Sequence, residues 1–177
     1  AMLAPLSVMQ EHGHWSSIRN LVVNVTRLTT FVDISAVLVV FLFGHALLSL
    51  WVGEAYAIQV LPILRILVIA NAIRLIGAPL SAALVATNQQ HYGISGAVVE
   101  GIGNFVLSII GAMFVGAIGV AFGTLAGACI SILWVVILLL RWLRRPIVSR
   151  SELVLEGCLR PALCLLPIAV CIAISDD

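Results

Sequence analysis

Four apolar stretches, each long enough to cross a bilayer, dominate this sequence. They cover residues 31–51, 61–86, 93–115 and 118–140. A helix needs about 20 mostly apolar residues to traverse the hydrocarbon core of a membrane. Backbone polar groups in lipid must be hydrogen-bonded within their own segment, so stretches of this kind predict α-helices. The sequence therefore predicts an all-α, polytopic transmembrane helix bundle with four full spans.

The overall composition agrees with a membrane protein and excludes several other classes. Hydrophobic residues make up 62% of the 177 residues and charged residues only 10%, and the mean hydropathy is +1.20. Soluble domains carry about 45–50% apolar and about 25% charged residues. A soluble domain, an acidic disordered tail and a nucleic-acid binder are therefore excluded, and the lipid bilayer is the first partner we expect.

No pattern in the chain indicates an enzyme, a cofactor or a metal. The sequence lacks an HExxH motif, a nucleophile elbow and a Walker loop. Three of the four cysteines lie in apolar runs, where cysteine behaves as a small hydrophobe, and Cys158 lies in a linker. His12 and His14 have no neighbouring ligands that would complete a metal site. We expect no enzymatic activity, no cofactor and no metal.

The C-terminal part is expected to contain the start of a further span. Residues 161–177 are expected to begin this span, because the apolar run at 161–175, which stops at Asp176 and Asp177, is too short to cross a bilayer comfortably. Residues 146–160 form a linker, in which Ser149 and Glu152 have the spacing of a capping box. This linker is either a short interfacial helix or a simple polar connection. We expect the chain to be a piece of a larger transporter-like protein, and a small protein with an unusual C-terminus is the alternative.

The distribution of arginines predicts the orientation in the membrane. All nine basic residues are Arg; a cluster follows the fourth stretch (Arg141, Arg144, Arg145 and Arg150), and Arg19 and Arg27 precede the first. The connection at 52–60 carries Glu54 and no basic residue. Basic residues accumulate on the cytoplasmic side of membrane proteins. Both ends of the four-span unit are therefore predicted to be cytoplasmic.

Aromatic and proline residues mark the first hairpin and the second span. Trp51 and Tyr56 flank Gly53 and predict an interface belt with a helix stop. Pro62 is expected in the first turn of the next helix, where its missing N–H has no consequence. Pro79 lies well inside the second stretch and predicts a kink, because it removes a helical hydrogen bond.

Small residues recur at four-residue intervals in the fourth stretch. These are Gly119, Gly123, Gly127 and Ser131. Residues at this spacing form a flat stripe that another helix can approach closely. The stripe is predicted to pack against the third span, although a dimer interface is also compatible with it.

Polar and charged residues inside the spans are the candidate binding residues. At about 100° per residue, Asn71 and Ser81 lie within roughly 60° of Arg74 and form one polar stripe with it. Arg65 falls on nearly the opposite face, near the predicted end of its span. Glu100 and Asn104 lie in the third span.

A charge at the centre of a bilayer costs about 2.5–3.5 kcal/mol even on insertion scales, so Arg74 needs a compensating interaction. Two hypotheses compete for what that interaction is. In one, it faces a cavity and binds an anionic phosphate, for which a forked guanidinium is suited. In the other, it pairs with Glu100 and ties two helices together. A contact with a lipid headgroup or with a partner is the remaining alternative.

Four short motifs follow one another along the chain. They are FGHALLSLWVGEAY at 43–56, GAP at 77–79 with the helix end at 84–89, NFVLS at 104–108 and GAIGVAFGT at 116–124. Their order and spacing resemble the C-terminal half of bacterial polysaccharide flippases, the O-antigen and exopolysaccharide exporters. These belong to the multidrug/oligosaccharidyl-lipid/polysaccharide exporter superfamily. The resemblance covers roughly residues 1–145 and resides in the succession of motifs more than in any one of them.

The resemblance implies a fold and a function. It implies a partial C-terminal lobe whose four spans correspond to the ninth to twelfth helices, with residues 161–177 beginning a thirteenth. The partners would be the missing N-terminal half of the transporter and an undecaprenyl-diphosphate-linked oligosaccharide, flipped across the bacterial inner membrane through a central cationic cavity. Asp33 departs from the pattern, because relatives often have a proline there.

Two other functions remain open from the sequence. A multidrug or lipid II exporter of the same superfamily is one, and a cation-coupled exporter could use Asp33 and Glu100 as membrane-embedded carboxylates. The second is a non-transporting membrane subunit that packs against a partner through its glycine stripe.

Overall fold

Four helices make up the part of the chain that the computed structural model describes, residues 15–86 and 88–141. They are α1 (Trp15–Val52), α2 (Glu54–Ala86), α3 (Gln90–Val115) and α4 (Ala117–Arg141). All four are long and apolar enough to cross a membrane. The predictions of an all-helical fold and of a multi-pass membrane protein are confirmed for these residues. The arginine cluster beyond Arg141, the linker at 146–160 and the run at 161–177 lie outside the described residues.

Very short turns connect the helices, and this corrects the predicted hairpin at 52–60. Gly53 alone separates α1 from α2, with a φ of 89°, and Gly116 alone separates α3 from α4, with a φ of 70°. Both are left-handed values that favour glycine. Asn88, with a φ of 57°, lies in the turn between α2 and α3. Because one residue suffices to reverse the chain, α2 already begins at Glu54.

The two prolines of α2 lie inside the helix. Pro62 was expected in the first turn, but it lies more than two turns from Glu54, so that prediction is wrong. Its missing N–H leaves the carbonyl of Ile58 without a helical donor. Ile58 is exposed and lies near the N-terminal end of α2, where water can donate a hydrogen bond to that carbonyl. The helix also continues through Pro79, which is buried.

The first helix is much longer than the apolar stretch that predicted it. α1 has 38 residues, about 57 Å at 1.5 Å per residue, whereas a bilayer core is about 30 Å thick. Its upstream half continues as a helix because Ile18, Val22 and Thr26 repeat every four residues and are fully buried. The apolar stretch at 31–51 therefore does not give the extent of the helix.

The helices pack as two antiparallel pairs joined through α2. α1 packs on α2, α3 packs on α4, and α2 also contacts α4 and, less extensively, α3. Gly44 of α1 is buried beside Leu61 of α2. Near the other end of α2, Leu80, Ala83 and Leu84 are buried. α2 thus occupies the central position among the described helices.

The backbones of α3 and α4 approach each other closely along the glycine stripe. Gly119, Gly123 and Gly127 are buried, while Ser131 is partly exposed. A Cβ built on Gly119 would overlap the backbone of Gly111, and a Cβ on Gly123 would overlap the backbone of Ser108. Close approach of this kind is how small residues promote helix association in membranes. The stripe therefore lies against α3.

Candidate functional site

Arg74 of α2 and Glu100 of α3 form an ion pair between the two helices. The Arg74 Nε donates a hydrogen bond to the Glu100 Oε1. The Glu100 side chain is 15% exposed, whereas the Arg74 side chain is 44% exposed. The pair thus covers most of the Glu100 side chain and leaves nearly half of the Arg74 side chain accessible. Among the described residues, the two η nitrogens of Arg74 have no further partner.

The exposed face of α2 carries both Arg74 and Asn71. Leu67, Asn71, Arg74 and Ala78 are all exposed and follow one another at intervals of three or four residues. Ser81 was predicted to join this polar stripe, but it is only partly exposed and its hydroxyl donates to the carbonyl of Gly77 at 3.2 Å. Asn71 therefore shares the exposed face with Arg74, whereas the Ser81 hydroxyl is hydrogen-bonded within its own helix.

The position of Arg74 within α2 places it in the membrane. α2 has 33 residues centred on Ala70, so Arg74 lies about 6 Å beyond the midpoint at 1.5 Å per residue. Charged residues at such depths nearly always face a bundle interior or a water-filled cavity, because exposure to lipid is costly. We therefore expect the face of Asn71 and Arg74 to be turned away from lipid.

Asn104 lies one turn beyond Glu100 and lines an open groove between α3 and α4. Its Oδ1 accepts a hydrogen bond from the Ser108 hydroxyl at 2.9 Å. The groove has a volume of about 580 Å³ and its lining combines polar, small and aromatic side chains. The lining residues are Gly101, Asn104, Phe105, Ser108, Ile109, Ala112, Val120 and Thr124.

Arg65 of α2 is partly buried and contacts α1, farther from the end of its helix than the sequence predicted. Its Nη2 donates to the carbonyl of Phe41 at 3.1 Å, and its guanidinium carbon lies 5.1 Å from the centroid of the Phe41 ring. Its Nε is buried and has no hydrogen-bond partner in the part of the chain that the structure describes. Because α2 begins at Glu54, Arg65 lies about 16 Å from the start of the helix. The signal that could have shown this is Gly53, which can turn the chain by itself.

Asp33 does not join the Arg74–Glu100 pair. It lies on α1, 9% exposed, and its Oδ2 is buried without a partner among residues 15–86 and 88–141. By helical geometry it falls about 20° from Gly44, the residue that contacts Leu61 of α2. The two carboxylates predicted for a cation-coupled exporter are therefore in different environments. In the described ranges, no three His, Cys, Asp or Glu residues are grouped so that they could hold a metal ion.

Comparison of the chain with protein-family models, with curated proteins and with solved structures finds no match. What this chain binds has to be inferred from its own side chains. The strongest indication among the described residues is the partly exposed side chain of Arg74, which shares its face of α2 with Asn71 and is hydrogen-bonded to Glu100. Gly101, which follows Glu100 in the sequence, is one of the residues that line the groove at Asn104.

Proposed function

We propose that this chain is part of a transporter that moves a lipid-linked oligosaccharide across the bacterial inner membrane, with Arg74 contacting the diphosphate of the carrier lipid. The observation that carries the proposal is the accessibility of Arg74 at membrane depth. A guanidinium that only tied two helices together would be expected to be enclosed by them. The side chain of Arg74 is instead 44% exposed, which favours a ligand on its open side.

The geometry of the pair suits binding of an anion. Glu100 engages the Nε of Arg74 and fixes the plane of the guanidinium. The two η nitrogens remain available to donate two parallel hydrogen bonds to phosphate oxygens, the forked contact in which arginine surpasses lysine. Asn71, one turn away on the same exposed face, adds an amide that can donate to the same anion. The acid and the ligand therefore use different edges of one guanidinium.

The orientation and the motif resemblance support the same function. Arg19 and Arg27 lie in the upstream half of α1, at the end of the unit where the turn between α2 and α3 is located. By the preference of basic residues for the cytoplasm, that end is proposed to be cytoplasmic. The motifs at 43–56, 77–79, 104–108 and 116–124 resemble polysaccharide flippases, and lipid-linked oligosaccharides are the cargo that this resemblance implies.

A related exporter of drugs or of lipid II is the second candidate within transport. The observation that favours it is Asp33, a buried carboxylate with one oxygen that has no partner within the described helices, which is the kind of group that a cation-coupled exporter uses. The packing of α3 on α4 argues against the hypothesis of a non-transporting subunit. It needs the glycine stripe of α4 for a partner, and that stripe is covered by α3.

A binding experiment with the chain in lipid nanodiscs tests the role of Arg74. The probe is a polyprenyl diphosphate, and the variants are Arg74→Lys and Arg74→Gln, with Arg65→Lys as the matched control on the opposite face of α2. Loss of the fork in Arg74→Lys should weaken binding by about tenfold, since a charge-assisted hydrogen bond contributes about 1.5–3 kcal/mol. Arg74→Gln should weaken it further, and Arg65→Lys should leave the affinity unchanged.

The purely structural role of the ion pair makes a different prediction. If Arg74 serves only to neutralise Glu100, the double variant Arg74→Ala with Glu100→Ala should recover the binding that either single change removes. Recovery in the double variant would contradict the proposed role in substrate binding. A double variant that binds as weakly as Arg74→Ala would support it.

A further inference from the structure

The exposed face of α1 changes from polar to apolar at one point along the helix. Asn20, Asn24 and Arg27 are exposed on the upstream side of that point. Leu28 and Phe31 follow on the other side and are 64% and 45% exposed. At about 100° per residue, Phe31 lies within about 40° of each of the three polar residues. These five residues form one continuous surface, which we call the Arg27 strip.

The opposite side of α1 is buried inside the protein. Val22 and Thr26 have no exposed surface, and Thr30 is only 2% exposed. The hydroxyls of Thr26 and Thr30 donate to carbonyls of α1 itself, each four residues upstream. One side of this helix is therefore packed against the protein, whereas the residues of the Arg27 strip are exposed and are not covered by any described helix.

The spacing of polar residues along α1 places Arg27 at the level of lipid headgroups. Between Leu28 and Gly44, every exposed residue of α1 is apolar, and the next exposed polar residue is His45. His45 lies 18 residues beyond Arg27, which corresponds to about 27 Å of helix. The hydrocarbon core of a bilayer is about 30 Å thick. We therefore expect Arg27 and His45 to lie at the two borders of that core.

The polar groups of the Arg27 strip are available to a ligand. Arg27 has no hydrogen bond or ion pair within the described part of the chain, and the same holds for the amide of Asn24. A long arginine side chain at this depth can reach the headgroups, and its paired N–H groups match the oxygens of a phosphate. Asn24, about one turn away on the same face, can donate to the same phosphate.

We infer that the Arg27 strip binds an anionic phospholipid, with its phosphate at Arg27 and Asn24 and an acyl chain along Leu28 and Phe31. The positive charge of Arg27 complements the anionic headgroup. The polar and apolar parts of the strip adjoin each other in the same order as the headgroup and the chains of a lipid. In the proposed orientation this lipid belongs to the cytoplasmic leaflet, whose surface is negative. The inference does not depend on Arg74, which lies on another helix.

Fluorescence quenching measures the lipid contact at the strip itself. Phe31→Trp is introduced into the full chain, with the native tryptophans replaced by phenylalanine, and the protein is placed in nanodiscs. Brominated acyl chains quench an indole that they touch, so brominated phosphatidylglycerol and brominated phosphatidylcholine are compared at this position. The reporter at position 31 should show phosphatidylglycerol bound about fivefold more tightly than phosphatidylcholine, the contribution of one arginine near a membrane surface.

Three variants of the reporter protein test the role of Arg27. Arg27→Gln should reduce the preference to about one, and Arg27→Lys should keep most of it, because lysine retains the charge. The matched control is Arg19→Gln, which removes an equal charge from α1 about 12 Å away, on a face turned by about 80°. It should leave the preference unchanged. An equal loss in Arg19→Gln and Arg27→Gln would indicate diffuse surface charge and would overturn the inference.

A second reporter tests whether the preference is local. Phe43 is 58% exposed and lies near the other border of the apolar surface, so Phe43→Trp should show no preference for phosphatidylglycerol. The same preference at both reporters, or equal binding of the two lipids at position 31, would contradict the inference. Quenching at position 31 by neither lipid would show that protein covers the strip, and the inference would again be wrong. Failure of the diphosphate to bind at Arg74 would leave all these expectations unchanged.

Discussion

Gly123 offers the sharpest test of how α3 and α4 are held together. A Cβ at this position would lie 2.7 Å from the carbonyl carbon of Leu107 and closer still to the backbone of Ser108. Ordinary van der Waals contact of a Cβ begins at 3.4 Å. The obstructing atoms are backbone atoms, so no side chain can rotate away to make room. The substitution Gly123→Ala must therefore push the two helices apart.

The expected magnitude follows from this geometry. Insertion of a methyl group into a well-packed contact costs about 1–3 kcal/mol, and a rigid backbone places Gly123→Ala near the upper value. A matched control is Gly77→Ala, because a Cβ on Gly77 meets no atom within 4 Å. That change should stabilise the protein by about 0.5–1 kcal/mol through the better helix propensity of alanine. The two variants should therefore differ by about 3–4 kcal/mol in the free energy of unfolding.

Unfolding of the chain by SDS in mixed micelles, followed by circular dichroism and by tryptophan fluorescence, measures this difference. Trp134 reports on the same helix pair, because its Nε1 donates to the Ser95 hydroxyl at 3.1 Å. Gly123→Ala should unfold at a lower SDS fraction than the wild type, and Gly77→Ala at the same fraction or a higher one. Equal midpoints for the two variants would refute the close backbone contact between α3 and α4.

Two more measurements test the turns. Cysteine in place of Glu54, in a background without native cysteines, should react with an impermeant thiol reagent from outside the cell. Cysteine in place of Gln89 should react only after permeabilisation. The reverse pattern of labelling would contradict the proposed orientation. Gly53→Ala should lower the free energy of unfolding by about 1–2 kcal/mol, because its φ of 89° is unfavourable for a residue with a Cβ. Gly53→Asn should lose less, since asparagine tolerates left-handed conformations, and an unchanged SDS midpoint for Gly53→Ala would contradict the single-residue turn.

The existence of the four helices could be predicted from the sequence, but their ends could not. Length and apolarity identify spans, because lipid leaves the backbone no alternative to helix. They do not mark where a helix leaves the membrane. α1 therefore begins at Trp15 rather than near residue 31, and α2 begins at Glu54 rather than near residue 61. Because α2 begins earlier than predicted, Arg65 lies farther from the start of its helix than the sequence indicated.

The candidate site could be predicted only in part, for a related reason. Helical spacing correctly placed Asn71 with Arg74 and put Arg65 on the opposite face, where it contacts Phe41 of α1. Spacing within one helix does not say which neighbour lies beside it. The contact of Arg74 with Glu100 was one of two hypotheses, and the groove at Asn104 depends on the relative position of α3 and α4, which no local pattern encodes.

The ion pair between α2 and α3 also has a consequence for the biogenesis of the protein. Arg74 and Glu100 are 26 residues apart in sequence, so α2 is synthesised and presented to the insertion machinery before its acidic partner exists. Each arginine in α2 opposes insertion by about 2.5–3.5 kcal/mol at the centre of a bilayer. We expect α2 to enter the lipid stably only when α3 follows it. The two helices would then be integrated as one unit, and loss of Glu100 would appear first as a defect in membrane insertion.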